Sequence, residues 1–238
     1  MRTLWLKLSK SLAALVPFFV APISFGATFD TVQHDSLFSV VVYKEGVASG
    51  FAHNHLVFAK APRITRFEVP DGKPIENGSF TAEADVAQIF SDDYTVSRQW
   101  IPTLQKAGLI SDDVELSEIK AKNRADIEET MRGDSQLDQA KFPKITFSLK
   151  GLTAKNSALG ELKTTHEGTI AVTIHGVTRE IKAPVRLELV GNDLSVLCSA
   201  PMLFTDFGIE PVSTALGMVR NQNQFQLFVM IKAHKSAH

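Results

Sequence analysis

Apolar and polar residues alternate with a period of two along most of this chain, the pattern of strands with one buried face. The clearest case is residues 168–185, GTIAVTIHGVTREIKAPV. Ile170, Val172 and Ile174 fall on one side, and Thr169, Ala171 and Thr173 on the other. His175-Gly176 breaks the alternation. A second run, Thr178 to Val190, then carries Val185, Leu187 and Leu189 on one face. Two strands joined by a tight turn are predicted, because glycine accepts the backbone angles such a turn needs. Earlier in the chain, Phe38, Val40 and Val42 alternate with Ser39, Val41 and Tyr43. Strand-like segments follow at 49–58, 63–69 and 79–87, separated by Pro62 and a turn-rich stretch from Pro70 to Ser79. After residue 140 they resume at 144–150, 159–175, 178–190, 193–205 and 223–234.

Between Ser97 and Arg132 the alternation stops. Leu116, Ile119, Asn123, Ile127 and Met131 keep to one side of a helix running from Val114 to Met131. Ser111-Asp112-Asp113 offers an N-cap and first-turn acids, and Gly133 a stop. A shorter helix is predicted over Arg98–Ala107. The sum is an all-β fold with a helical insertion: about eight or nine antiparallel strands, which suit a closed barrel because closure removes exposed edges. An open sandwich is the alternative.

Residues 1–26 read as a secretory signal peptide rather than part of the fold. Arg2, Lys7 and Lys10 precede an apolar run from Leu12 to Ile23, and Ser24-Phe25-Gly26 puts small residues before a cut at Ala27. The run is too short, and too rich in proline, for a spanning helix of roughly 20 residues. A single domain is expected over 27–238, exported to the periplasm or secreted, with no transmembrane anchor after cleavage. Losing the leader removes three of the 25 basic residues and none of the 26 acidic ones, so net charge moves from −1 to −4. No basic cluster stands out, and nucleic acid is not an expected partner. Cys198, the one cysteine, shares a strand face with Leu194 and Val196 and reads as a buried small hydrophobe.

Three segments in this order resemble the YceI-like family of secreted bacterial proteins: Lys141-Phe-Pro-Lys-Ile-Thr-Phe, Gly168-Thr-Ile-Ala-Val-Thr-Ile-His-Gly-Val-Thr-Arg-Glu, and Phe204-Thr-Asp-Phe-Gly-Ile. The resemblance spans roughly residues 28–234. It implies a lipocalin-like barrel with helices beside it and an apolar tunnel holding a polyisoprenoid or a fatty-acid-like chain. It also allows a homodimer. An eight-strand barrel has about the width for one small ligand. The inward faces that would meet such a ligand carry Phe38, Val40, Val42, Phe147, Ile170, Val172, Ile174, Phe225, Leu227 and Val229. With 16 Phe against 2 Tyr and 2 Trp, the interior is oily rather than hydrogen-bonding. The same side chains could instead pack on one another as an ordinary core. Two segments depart from the family pattern, Ser49-Gly-Phe-Ala-His-Asn-His-Leu-Val-Phe and Arg132-Gly-Asp-Ser-Gln-Leu-Asp-Gln-Ala, so the mouth of a pocket is expected to differ.

The sharpest polar feature is His53 with His55. At i and i+2 on a strand, both imidazoles point to one face and could ligate a metal, with His175 or His34 as a third ligand. The competing reading is that they hydrogen-bond within the barrel. His175 itself is expected to serve the turn. Asp92-Asp93 and Asp112-Asp113 read as caps rather than as the two carboxylates of a hydrolase, which must face each other across a cleft. No catalytic constellation is recognised, and no cofactor is expected beyond a bound lipid or isoprenoid. The functional expectation is a binding or carrier protein for an apolar chain, and the alternative a metal-binding protein or enzyme built on His53 and His55.

Overall fold

A computed structural model describes residues 28–69, 75–115 and 119–236; the predicted leader lies outside them. The elements in chain order are β1 (Phe29–Thr31), β2 (Leu37–Glu45), β3 (His55–Ala59), β4 (Arg63–Glu68), β5 (Ser79–Asp85), β6 (Ile89–Ser91), α1 (Tyr94–Lys106), α2 (Ala121–Arg132), β7 (Lys144–Leu159), β8 (Leu162–Ile174), β9 (Val177–Val190), β10 (Asp193–Leu203), β11 (Ser213–Thr214) and β12 (Val219–Lys235). The strands form one antiparallel sheet in the order β4-β5-β7-β8-β9-β10-β12-β2-β3-β6, with β1 and β11 pairing on β12. The sheet curls into a half-barrel. Its long sides are the predicted hairpin and the strands next to it.

The two ends of the curl are treated differently. At one, β1 continues the place of β2 along β12, pairing Phe29–Thr31 with Ala233–Lys235. Phe29 then meets Phe67 of β4 edge-on at 5.2 Å, so aromatic packing brings the two sides together. At the other end, α2 lies along the free edge of β6. The Ser91 amide donates to Glu128 Oε1 at 3.2 Å, and Arg132 Nη2 donates to the Ile89 carbonyl at 2.5 Å. An open edge is thereby satisfied by helix side chains instead of a further strand.

The nine predicted strands are all present, with shifted bounds. The additional β1, β6 and β11 are two or three residues long, too short to leave a period. β7 runs on to Leu159 because it pairs with β8 in a long projecting hairpin. Residues 153–158 there are exposed on both faces, so no alternation marks them. Residues 49–51 form a 3₁₀ turn, and β3 starts only at His55.

The helices moved as well. α1 starts at Tyr94 because the Asp93 carboxylate accepts from the amides of Thr95 (3.0 Å) and Val96 (3.3 Å). α2 starts at Ala121 rather than Val114. Gln105 Nε2 donates to the carbonyls of Asp112 (3.2 Å) and Val114 (3.0 Å), and Val114 is buried with Trp100, Ile101 and Leu104. Those contacts hold 112–114 against α1 and override the helical period. Leu116, counted in the predicted helix, lies outside the described residues.

Two cores result. The larger fills the curl and includes Phe80, Phe147, Leu149, Ile170, Leu187 and Val229. The smaller lies outside it, where α1 covers Leu37, Val41, Leu56, Phe58 and Phe228. Strands β2, β3 and β12 are therefore buried on both faces, which is why Val41 is as apolar as its inward neighbours. Cys198 is fully buried in the larger core, and burial pushes its thiol well above the usual range.

Candidate ligand-binding cavity

The hairpin over 168–185 closes through a two-residue turn in which both His175 (φ 51°) and Gly176 (φ 73°) are left-handed. That is the geometry that matches the strands' own twist. A Cβ on Gly176 would lie 2.4 Å from the Phe142 ring, so glycine is required by space as well as by angle. The Phe142 ring also stacks edge-on to His175 at 5.0 Å. His175 Nδ1 lies 3.3 Å from the Phe207 carbonyl. The histidine thus ties the hairpin turn to the 3₁₀ segment Phe204–Phe207, across 32 residues of sequence. The three family-like segments meet at this point.

Inside the curl, above the solid core, is a cavity of about 400 Å³, within the range of small-molecule sites. Its wall is ordered in rungs by strand register. Phe38 is opposite Val229, Val40 opposite both Leu227 and Val57, and Val42 opposite both Phe225 and His55. The next inward position of β2 is Lys44, opposite Asn221. Polarity therefore rises along one direction: Phe38 and Ala59 at the bottom, Val40, Val57 and Leu227 above, then His55, then His53, Lys44, Arg220 and Asn221 at the mouth. Lys44 Nζ donates to the Ala52 carbonyl (2.9 Å), and Arg220 Nε pairs with Glu45 (2.6 Å).

Seven of the ten residues expected to meet a ligand line this cavity: Phe38, Val40, Val42, Val172, Ile174, Phe225 and Leu227. Phe147, Ile170 and Val229 do not. Ile170 and Val229 sit one rung farther from the mouth than Val172 and Leu227, in the filled part of the curl. The Phe147 ring packs edge-on against Phe38 (6.3 Å) and Phe80 (6.1 Å), beneath the lowest lining residue. It is floor rather than wall. Period two identifies an inward face; it carries nothing about how far along that face neighbouring rings fill the space.

Sequence reasoning missed two parts of the wall. Phe204, Phe207 and Ile209 come from the Phe204-Thr-Asp-Phe-Gly-Ile segment, with the Phe204 ring packed at a tilt 4.7 Å from that of Phe225. The available signal was Phe204 and Phe207, three apart at and just beyond the end of the predicted 193–205 strand; β10 in fact ends at Leu203. α2 and the turn after it supply Ile127, Met131 and Leu137. Ile127 and Met131 lay on the apolar side of the predicted helix, so their burial was legible and their target was not.

His53 and His55 both line the cavity, although β3 starts only at His55, so His53 reaches it from the segment before the strand and not from a shared strand face. His175 and His34 are elsewhere: His175 bonds to Phe207, and His34 pairs with Asp35. Among the described residues, no group of three or more His, Cys, Asp or Glu is placed to hold a metal ion. His55 has a defined partner instead. Its Nδ1 lies 2.7 Å from Asp92 Oδ2, and Asp92, expected as a cap, is only 8% exposed at its side chain. Asp92 Oδ1 accepts from the Leu56 amide at 3.0 Å, and the Ser91 hydroxyl donates to Oδ2.

Fold and site together define a curled antiparallel β-barrel protein with an apolar cavity open at a polar mouth. The family model for the YceI-like domain matches residues 41–232, and the chain belongs to that family. Among solved structures, Burkholderia cenocepacia BcnA is similar with a TM-score of 0.53 at 14% identity, over 85% of this chain and 99% of that one. A polyisoprenoid-binding domain from Saccharophagus degradans, implicated in plant cell wall breakdown, is similar with a TM-score of 0.52 at 10% identity, over 88% and 99%. At such identities the likeness is one of fold. A search of curated proteins finds no match. No helix among the described residues is long and apolar enough to cross a membrane.

Proposed function

We propose that this protein binds and carries an apolar or amphiphilic chain, of the polyisoprenoid or fatty-acid-like class, in the cavity of its β-barrel, and that it works in the periplasm or outside the cell after loss of the leader. The observation that carries the reading is the graded wall. An apolar tail laid along Val57, Val40, Leu227 and Phe38 leaves water, at ~0.8 kcal/mol per methylene. The polar end of the same molecule stays level with His55 and Lys44 at the mouth, where it keeps hydrogen-bonding partners. The polyisoprenoid named for the Saccharophagus degradans domain suggests the ligand class, on a shared fold. The periplasmic part rests on the basic, then apolar, then small-residue order of residues 1–26.

The test is native mass spectrometry of protein purified from the periplasm, followed by organic extraction. The expected result is an adduct that extraction identifies as a lipid-like chain. Apo mass alone, under conditions that preserve a control lipocalin complex, would count decisively against the proposal.

A further inference from the structure

We infer that His55 reads the polar head of the bound molecule by accepting a hydrogen bond through Nε2, so that the cavity prefers an apolar chain ending in a hydroxyl. This rests on the apolar-chain reading above and assigns the head group. His55 is the first polar rung above the apolar ones, directly across from Val42, which has Phe225 on its other side. Its ring is 20% exposed and forms part of the cavity wall. One side of the ring is committed: Nδ1 faces Asp92 Oδ2 at 2.7 Å. The carboxylate receives two other donors, the Leu56 amide and the Ser91 hydroxyl. An ionised carboxylate only accepts hydrogen bonds, so the hydrogen between the two groups belongs to Nδ1. In the neutral ring this leaves the Nε2 lone pair as an acceptor, and no bond to Nε2 is formed within the described residues.

Asp92 is a positioning residue. Its backbone is left-handed (φ 52°), a conformation that aspartate enters more readily than most residues with a side chain, and here two bonds to one neighbour hold it. That neighbour is Leu56: the Asp92 amide donates to the Leu56 carbonyl at 3.0 Å while its carboxylate accepts from the Leu56 amide. The imidazole is thus fixed in tautomer and orientation from behind. Of the two rim cations, Arg220 is paired with Glu45, whereas Lys44 gives one of its three N–H bonds to the neutral Ala52 carbonyl and keeps its charge, so an acid head is the competitor that the experiment must include.

The experiment compares dodecan-1-ol, its methyl ether and dodecanoic acid by calorimetry on the wild-type protein, with and without EDTA. The three share one tail and differ in the head. The alcohol is expected to bind about fivefold to tenfold tighter than the ether, the scale of one net hydrogen bond. In His55→Phe that ratio should fall to about one, and in His55→Gln, whose amide oxygen accepts, it should return in part. Nitrogen-15 spectra of the His55 ring should show the Nδ1–H tautomer, and Asp92→Asn should disturb it. Equal affinity for alcohol and ether overturns the inference and leaves the apolar-chain reading intact. Tightest binding of the acid, or loss of alcohol binding in EDTA, overturns it in favour of an imidazolium–anion pair or a metal. Failure of all three ligands to bind overturns both readings.

Discussion

Phe147 should set how deep a chain can enter. The ring is fully buried and supports Phe38, the lowest residue of the wall, with Phe80 on its other side. Phe147→Ala deletes the ring from a packed core, at a cost of about 3–5 kcal/mol. That is a large part of the 5–15 kcal/mol typical of a domain, yet within it. The space released adjoins the cavity, so a longer tail can reach it. Room for roughly three methylenes at ~0.8 kcal/mol each makes about 2.4 kcal/mol, or roughly 50-fold in affinity. The assay pairs urea denaturation with affinities for a series of primary alcohols of increasing length. The variant should lose stability without ligand, regain part of it with the longer alcohols, and show an optimum shifted by about three carbons. An unchanged optimum in a folded variant would refute the placement of Phe147 as the floor.

Gly176→Ala should destabilise by roughly 2–4 kcal/mol, combining a left-handed non-glycine residue with a methyl pressed into the Phe142 ring; a loss under 1 kcal/mol in equilibrium denaturation would contradict the turn geometry. Asp138, in the turn that leads from α2 to β7, has its carboxyl held below the usual carboxylate range by the Lys141 ammonium 2.7 Å away. A carboxyl depressed in the folded state stabilises fully above its unfolded pKa and loses that contribution as pH falls through the folded value. Asp138→Asn should therefore flatten the acid side of the stability profile, measured as denaturation midpoints from pH 2 to 6, and superimposable acid limbs would speak against the pair.

Much of the scaffold was legible in the sequence because a period of two is a local consequence of pleating. Each long strand was found by it, and the hairpin at 168–185 needed only the alternation and His175-Gly176. Local chemistry also marked the apolar faces and put His53 beside His55. What escaped was everything decided by a second element. The pattern Leu37-Phe-Ser-Val-Val-Val could not say which face meets a helix; α1 settles that by covering Leu37 and Val41. The start of α2 was lost to Gln105, which binds carbonyls that the helix would have used. Asp92 read as half of an acidic pair until the fold set Leu56 and His55 against its two oxygens.

The sequence by itself determined strands, their inward faces, the tight turn and the resemblance to a family. Tertiary structure alone decided where the interior is full and where it is hollow. Val172 and Ile170 have the same parity on the same strand, yet one lines the cavity and the other is packed solid. The difference comes from side chains far away in sequence, above all the buried rings of Phe80 and Phe147, which occupy the lower curl and leave the upper part open.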